Sequence, residues 1–478
     1  MELSYEQKED LGLKYVLDLV EPVCPYGAKR LRAEGFYTPE RRDALERELD
    51  NVGLLLAALD SAQDRVLELR HELSCLKDLS GTLRGGGVFS EIELFELTGF
   101  CLRLKALIPM AETLEGYENL EGVHFTPVDA PLAILDPPGS GRLSFYVEDA
   151  RSPALYSARQ EKRDLEKRLR APGADRETLL ARRLAAAKDE EQALSEIYAA
   201  MSSALRPHLP ALRQNAEAAG RLDAAIAKAL LAREFGCCRP VTGGDTLRLG
   251  SAFHPEIAAA LEARGRAFTP ITIELPRGVT VLTGANMGGK SVAMKTVVLN
   301  IALALSGCFV FCAAAEIPMF DRIELINRDF SNAAGGLSSF GGEILRFNEA
   351  VNHLSQGGLS LIMMDEFARG TNAREGAAIA RGVVQYLAGK NAVTLLATHY
   401  DGTAELAARH YQVKGLRRLE DDSPAGGMGT DGLRRIENAM DYGLIPVEPG
   451  TACPRDALRI CRMLGLNEEI LKNIAENA

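Results

Sequence analysis

The run Val281-Leu282-Thr283-Gly284-Ala285-Asn286-Met287-Gly288-Gly289-Lys290-Ser291 has the residue types and spacing needed to hold a polyphosphate. A glycine opens the loop and Gly-Lys-Ser closes it. Glycines let backbone N–H groups turn inward around phosphate oxygens, a helix starting at the loop's end adds its positive terminus, and Lys290 adds a point charge. Gly284, Asn286, Met287, Gly288, Gly289 and Lys290 are therefore candidate nucleotide-binding residues, and Ser291 is placed to put its hydroxyl on Mg²⁺. Downstream, the short apolar run Leu359 to Met364 ends in Asp365-Glu366. Such a pair at the end of a strand suits a metal-holding carboxylate, Asp365, followed by one that orients or deprotonates an attacking water, Glu366. Acids also favour helix N-termini for ordinary reasons; the strand before this pair and the loop upstream set it apart. A third apolar run, Val393 to Thr398, delivers His399 to the same sheet edge, where it can sense a γ-phosphate. Lys290, Glu366 and His399 are thus the expected catalytic groups, with ATP as the nucleotide and Mg²⁺ as the metal.

These groups need strands to carry them. Gly278 to Thr283 reads as a strand and Ser291 to Ser306 as a helix, and the two later apolar runs alternate with helical patterns. That alternation predicts an α/β domain with a largely parallel sheet. The composition divides the chain into four parts: residues 1–150, a helical domain; 151–235, a helical hairpin or arm; 236–435, the nucleotide-binding domain; and 436–478, a helical C-terminal segment. The Gly-, Pro- and Thr-rich stretch from Gly236 to Gly250 marks the main boundary, and Glu420 to Gly432 reads as a polar loop. Between Arg159 and Arg183 basic residues outnumber acids around Ala171-Pro172-Gly173. The run is either a solvated face or an arm tip that touches a phosphate backbone or an acidic protein, and the lack of interleaved aromatics argues against base stacking.

The chain has 478 residues and a net charge of −11, which excludes a dedicated whole-surface nucleic-acid binder; any such contact must be a local patch. No apolar run of about 18 residues appears, and Met1-Glu2-Leu3-Ser4-Tyr5 has no export signal, so a cytoplasmic protein without a membrane span is expected. Nine cysteines are scattered, and the Cys308/Cys312 pair sits in an apolar run without a neighbouring His, as buried thiols do.

Four motifs, taken in order, resemble the ATPase domain of the MutS family: Thr283 to Ser291, Ser338-Ser339-Phe340, Asp365 to Asn372 (Asp-Glu-Phe-Ala-Arg-Gly-Thr-Asn) and Ala397-Thr398-His399-Tyr400. Phe253-His254-Pro255 resembles the point at which that domain begins. The resemblance implies a P-loop ABC-type ATPase domain in the C-terminal half, preceded by an all-α lever and clamp region. It implies a dimer, with itself or with a homologous subunit, in which each ATP lies between one subunit's phosphate loop and the other's signature serine. By that match Ser338 acts in trans, Phe268 falls near the adenine-stacking position, and Met440 to Ala478 resembles the dimer-stabilising segment. Departures are Ala285 for the family's Pro, Gly341-Gly342 for larger residues, and Phe367-Ala368 for Ile-Gly. Asp149 to Leu155 is the best match in the helical half, closest to the MutS branch that does not repair mismatches. Gly35-Phe36-Tyr37 lacks the small mixed domain that presents a mismatch-reading motif, and neither that domain nor a C-terminal nuclease is expected. The implied function is ATP-driven movement of helical arms on DNA, in repair or recombination without mismatch reading. The alternative is ATP-dependent remodelling or reactivation of a protein client, such as a cobalamin-dependent aminomutase.

Overall fold

The computed structural model describes residues 3–33, 35–171, 175–284, 289–326, 339–416, 440–453 and 457–477. Helices α1 (Tyr5–Asp10), α2 (Leu13–Leu19), α3 (Pro25–Ala33), α4 (Arg42–Ser74), α5 (Glu91–Glu112), α6 (Asp129–Leu135), α7 (Pro153–Leu169), α8 (Arg176–Leu205) and α9 (Leu209–Phe235) precede the first strand. Then follow β1 (Val241–Thr242), β2 (Leu247–Ala252), α10 (Pro255–Glu262), β3 (Ile271–Leu275), β4 (Gly278–Thr283), α11 (Lys290–Leu305), β5 (Ala314–Ile317) and β6 (Arg322–Ile326). The chain ends in α12 (Ser339–Ser355), β7 (Ser360–Asp365), α13 (Ala373–Leu387), β8 (Ala392–Thr398), β9 (Arg409–Leu416), β10 (Met440–Val447), α14 (Ala457–Met463) and α15 (Glu468–Asn477). The compact units are not consecutive in sequence: residues 1–20, 34–53 and 228–478 form one, and 21–33 with 54–227 form the other.

The sheet-bearing unit holds a six-stranded sheet in the order β10-β9-β4-β8-β7-β6, parallel except for the β9/β10 pair, and a four-stranded sheet in the order β1-β5-β2-β3. Every residue of β4 and β8 is buried, as expected for parallel strands covered on both faces. Val279, Val281, Ile362, Met364 and Leu396 pack with Val384 and Leu387 of α13 and with Phe347 of α12. Helix α11 is apolar nearly all round and packs against β7, β8 and β2, so Gly289 and Lys290 at its start rest on a well-packed support. Residues 440–447, expected within a helical segment, instead form the antiparallel edge strand β10; the residues after it supply the two short helices around Gly465. Antiparallel pairing with β9 outweighs what the composition suggests for that stretch.

The helical unit packs Leu69, Leu73, Leu97, Leu104, Leu107, Val123, Leu212 and Leu222 into its core. The carboxylate of Asp223 on α9, fully buried, accepts from the N–H groups of Val23 (3.0 Å) and Cys24 (2.8 Å) and so caps α3 from a distant element. Helices α7 and α8 form an antiparallel hairpin; residues 172–174 between them lie outside the described residues. Five of its basic residues face nearby acids. Arg159 pairs with Asp149 (2.6 Å) and Glu190 (2.9 Å), Lys162 with Glu190 (2.6 Å), Arg163 with Asp149 (3.2 Å), Arg182 with Glu161 (2.8 Å) and Arg183 with Glu166 (2.8 Å). Among the described residues, no helix is long and apolar enough to cross a membrane.

Candidate functional site

Parallel pairing aligns Asp365 of β7 with Ala397 of β8, and Ala397 with Leu282 of β4. Three adjacent strands therefore end together, and the loop after β4, the acids after β7 and His399 after β8 share one sheet edge. Gly284 leaves β4 at φ +154°, and Gly289 enters α11 in a left-handed conformation at φ +85°. A side chain at Gly289 would meet the Tyr442 ring 2.8 Å away. Asn286, Met287, Gly288 and Ser338 lie outside the described residues, as does the 420–432 loop.

Lys290 is almost fully buried, and its Nζ donates to the Gly284 carbonyl at 2.9 Å and stands 3.7 Å from Glu366 Oε1. Burial lowers its pKa from the usual lysine value, against the opposing pull of Glu366 and Asp365. Asp365 shows the complementary effect. Burial raises its carboxyl, while a hydrogen bond with the Ser291 hydroxyl and the nearby Lys290 oppose the shift. Among the described residues its buried Oδ1 atom has no hydrogen-bond partner. An orphaned hard oxygen beside a hydroxyl is what a divalent cation needs, so Asp365 and Ser291 fit Mg²⁺.

Glu366 also pairs with Arg369, and its N–H donates to the Ala397 carbonyl at 3.0 Å, fixing it to β8. The backbone here is strained: Glu366 has φ +51° and Ala368 φ +63°. The family pattern has glycine where this chain has Ala368, and the structure shows why glycine suits the position. Ala368 is held by its surroundings, its N–H donating to Glu343 Oε2 (3.1 Å) and its carbonyl accepting from the Tyr400 hydroxyl (3.1 Å). His399 is partly buried and, among the described residues, its Nδ1 has no hydrogen-bond partner; burial lowers its pKa, with Glu366 opposing and Lys290 and Arg369 reinforcing. The imidazole is therefore neutral at neutral pH, with a ring nitrogen open to a ligand.

Beside Gly289 lies an apolar cleft of about 170 Å³, lined by Phe268, Tyr442, Ile257, Leu261, Ile271 and Val292. Two aromatic residues at the mouth of a phosphate loop suit a planar base. Phe268 was legible through the resemblance. Tyr442 was not, because it belongs to the edge strand β10, whose sequence carries no chemical motif. The stretch after β10 was missed too. Gln412 Nε2 donates to the Ala452 carbonyl (3.0 Å), the Cys453 N–H donates to Asp401 Oδ1 (2.9 Å), and the Cys453 side chain hydrogen-bonds with Thr283 at the base of the phosphate loop.

Comparison with known proteins agrees with this geometry. Residues 280–444 match MutS domain V. The chain is similar to the DNA mismatch repair protein MutS of Thermus thermophilus, 28% identical over 434 residues that take in 84% of this chain and 50% of that protein. It is similar to the DNA mismatch repair protein MutS of Natronomonas pharaonis, 30% identical over 268 residues, 55% of this chain and 29% of the relative. It is also similar to the DNA mismatch repair protein MutS 2 of Halobacterium salinarum, 28% identical over 340 residues, 70% of this chain and 37% of the relative. The chain spans half or less of the length of these curated relatives. The domain match takes in residues 281–291, the acidic pair and His399, and the similarity to the Thermus MutS protein extends well beyond it.

Proposed function

We propose that this chain binds and hydrolyses ATP with Mg²⁺ on an ABC-type site, works as a dimer, and uses closure of the nucleotide sites to move its helical arms on DNA. The observation that carries the reading is the meeting of Lys290, Ser291, Asp365 and Glu366 at the aligned ends of β4 and β7, with His399 at the end of β8 between them. Ser291 and Asp365 would hold Mg²⁺, which when bound supplies positive charge to the phosphate oxygens. Lys290 is preformed beside the loop and exchanges the Gly284 carbonyl and Glu366 for phosphate. Glu366, released, is positioned to orient a water and accept its proton. Neutral His399 offers its open nitrogen to the γ-phosphate, and the Phe268/Tyr442 cleft takes the base. Ser338 acting in trans and the dimer-stabilising role of residues 436–478 rest on the family resemblance. The test is steady-state ATP hydrolysis by the full chain together with Glu366→Gln. Turnover that this variant leaves unchanged would overturn the assignment.

DNA is the client that the relatives' names support, since all three are DNA mismatch repair proteins. One observation favours the second reading, a protein client to be remodelled or reactivated: five of the hairpin's basic residues, Arg159, Lys162, Arg163, Arg182 and Arg183, are matched by nearby acids, which lowers the positive charge that it offers to phosphates. Binding of duplex and branched DNA, measured against salt with and without ATP, separates the two. A steep log–log salt slope supports DNA, and absence of binding at low salt supports a protein client.

A further inference from the structure

Behind the metal-holding pair lies a second, smaller cavity of about 40 Å³, lined by Asp10, Ser291, Met294, Lys295, Met363 and Asp365 among others. Its charged groups are two carboxylates and one ammonium. Lys295 stands one helical turn beyond Ser291 on α11, so the two side chains share a face. Across the cavity is Asp365, whose buried Oδ1 has no hydrogen-bond partner among the described residues. Lys295 instead pairs with Asp10, at 2.5 Å, and both side chains are largely buried, 31% and 26% exposed.

Asp10 is the last residue of α1, and its place is fixed by the turn that follows. The Leu11 carbonyl accepts from His254 Nε2 at 3.1 Å, and Gly12, at φ +68°, has no room for a side chain because His254 Cε1 would stand 2.4 Å from it. The buried His254 therefore fastens the N-terminal turn to α10. We propose that Asp10 is a positioning residue for the divalent-cation site: it holds the Lys295 ammonium off Asp365, leaving Asp365 and Ser291 to the cation. Without Asp10, an ammonium beside a buried carboxylate with an open oxygen competes directly with Mg²⁺ for that oxygen and repels the cation across the cavity. The inference rests on the ATP and Mg²⁺ reading of the site and deepens it, since it makes the first ten residues part of the nucleotide machinery.

The test compares the affinity of the full chain for ATPγS in Mg²⁺ and in EDTA. Wild type gains affinity on adding Mg²⁺. Asp10→Asn should cut that gain roughly tenfold, by the loss of one neutralising charge from the cavity that Ser291 and Asp365 also line, while its affinity in EDTA stays unchanged. Adding Lys295→Met to Asp10→Asn should restore the gain to about the wild-type level, which a merely structural role for Asp10 does not allow. The proposal falls if Asp10→Asn keeps the full gain, if it weakens binding equally in Mg²⁺ and EDTA, or if Lys295→Met fails to rescue it. A wild type that binds ATPγS no better with Mg²⁺ than without overturns the metal reading itself, and this proposal with it.

Discussion

The Lys290 ammonium stands 3.7 Å from Glu366 Oε1, so the two groups proposed for phosphate binding and water activation face each other. Lys290→Ala removes the cation and leaves Glu366 with Arg369 as its remaining partner, so ATP affinity should drop on the order of a hundredfold, as expected for loss of a charge-assisted contact to phosphate. Glu366→Gln removes only the proton acceptor, so affinity should stay within a few-fold while kcat falls at least about a hundredfold. Equilibrium binding and single-turnover hydrolysis of the two variants check this split.

Tyr442 lines the cleft with Phe268, and its ring closes on Gly289. Tyr442→Ala should weaken ATP binding by roughly 1–3 kcal/mol, the usual worth of an aromatic stacking on a base, whereas Tyr442→Phe should stay close to wild type. Competition with inorganic tripolyphosphate, which has no base, should be unaffected by either change.

His254 is 1% exposed, and its two ring nitrogens are committed to the Ile257 N–H and the Leu11 carbonyl, an arrangement only the neutral ring can make. Burial, reinforced by Lys295 and opposed by the Leu11 hydrogen bond and Asp10, lowers its pKa from 6.5 to about 4. The unfolded chain takes up a proton below about 6.5, and the folded one only near 4. The stability of the sheet-bearing unit is therefore full above pH 6.5, falls as pH drops toward 4, and levels off below it. The loss amounts to about 3 kcal/mol. Urea denaturation from pH 7 to pH 4 should show this slope, and His254→Asn, which can keep one donor and one acceptor, should flatten it.

Asp223 caps α3 with both carboxylate oxygens. Asp223→Ala strands two buried N–H groups and should cost the helical unit about 2–4 kcal/mol; Asp223→Asn, which keeps one acceptor, should cost less. Gly27→Ala would act on the same contact, because its methyl would lie 2.2 Å from Asp223 Oδ2. Thermal melting of the three variants orders them, and an Asp223→Ala protein as stable as wild type would exclude the cap.

The sequence by itself determined which residues are candidates for the site. Gly284 to Ser291, Asp365-Glu366 and His399 could be named because each requirement is local: glycines for backbone approach, a lysine at the helix start, acids and a histidine at the ends of apolar runs. The mixed α/β character followed from the same short periodicities. Sequence did not show that residues 1–20 join the unit of residues 228–478, that Met440–Val447 is a strand, or that Tyr442, Asp10 and Lys295 border the site. Nor did it show that the hairpin's arginines are matched by acids on the facing helix and before it. These are long-range pairings between groups that are ordinary in isolation, and only the packed fold, by bringing distant stretches within a few ångströms, gives them a partner and a role.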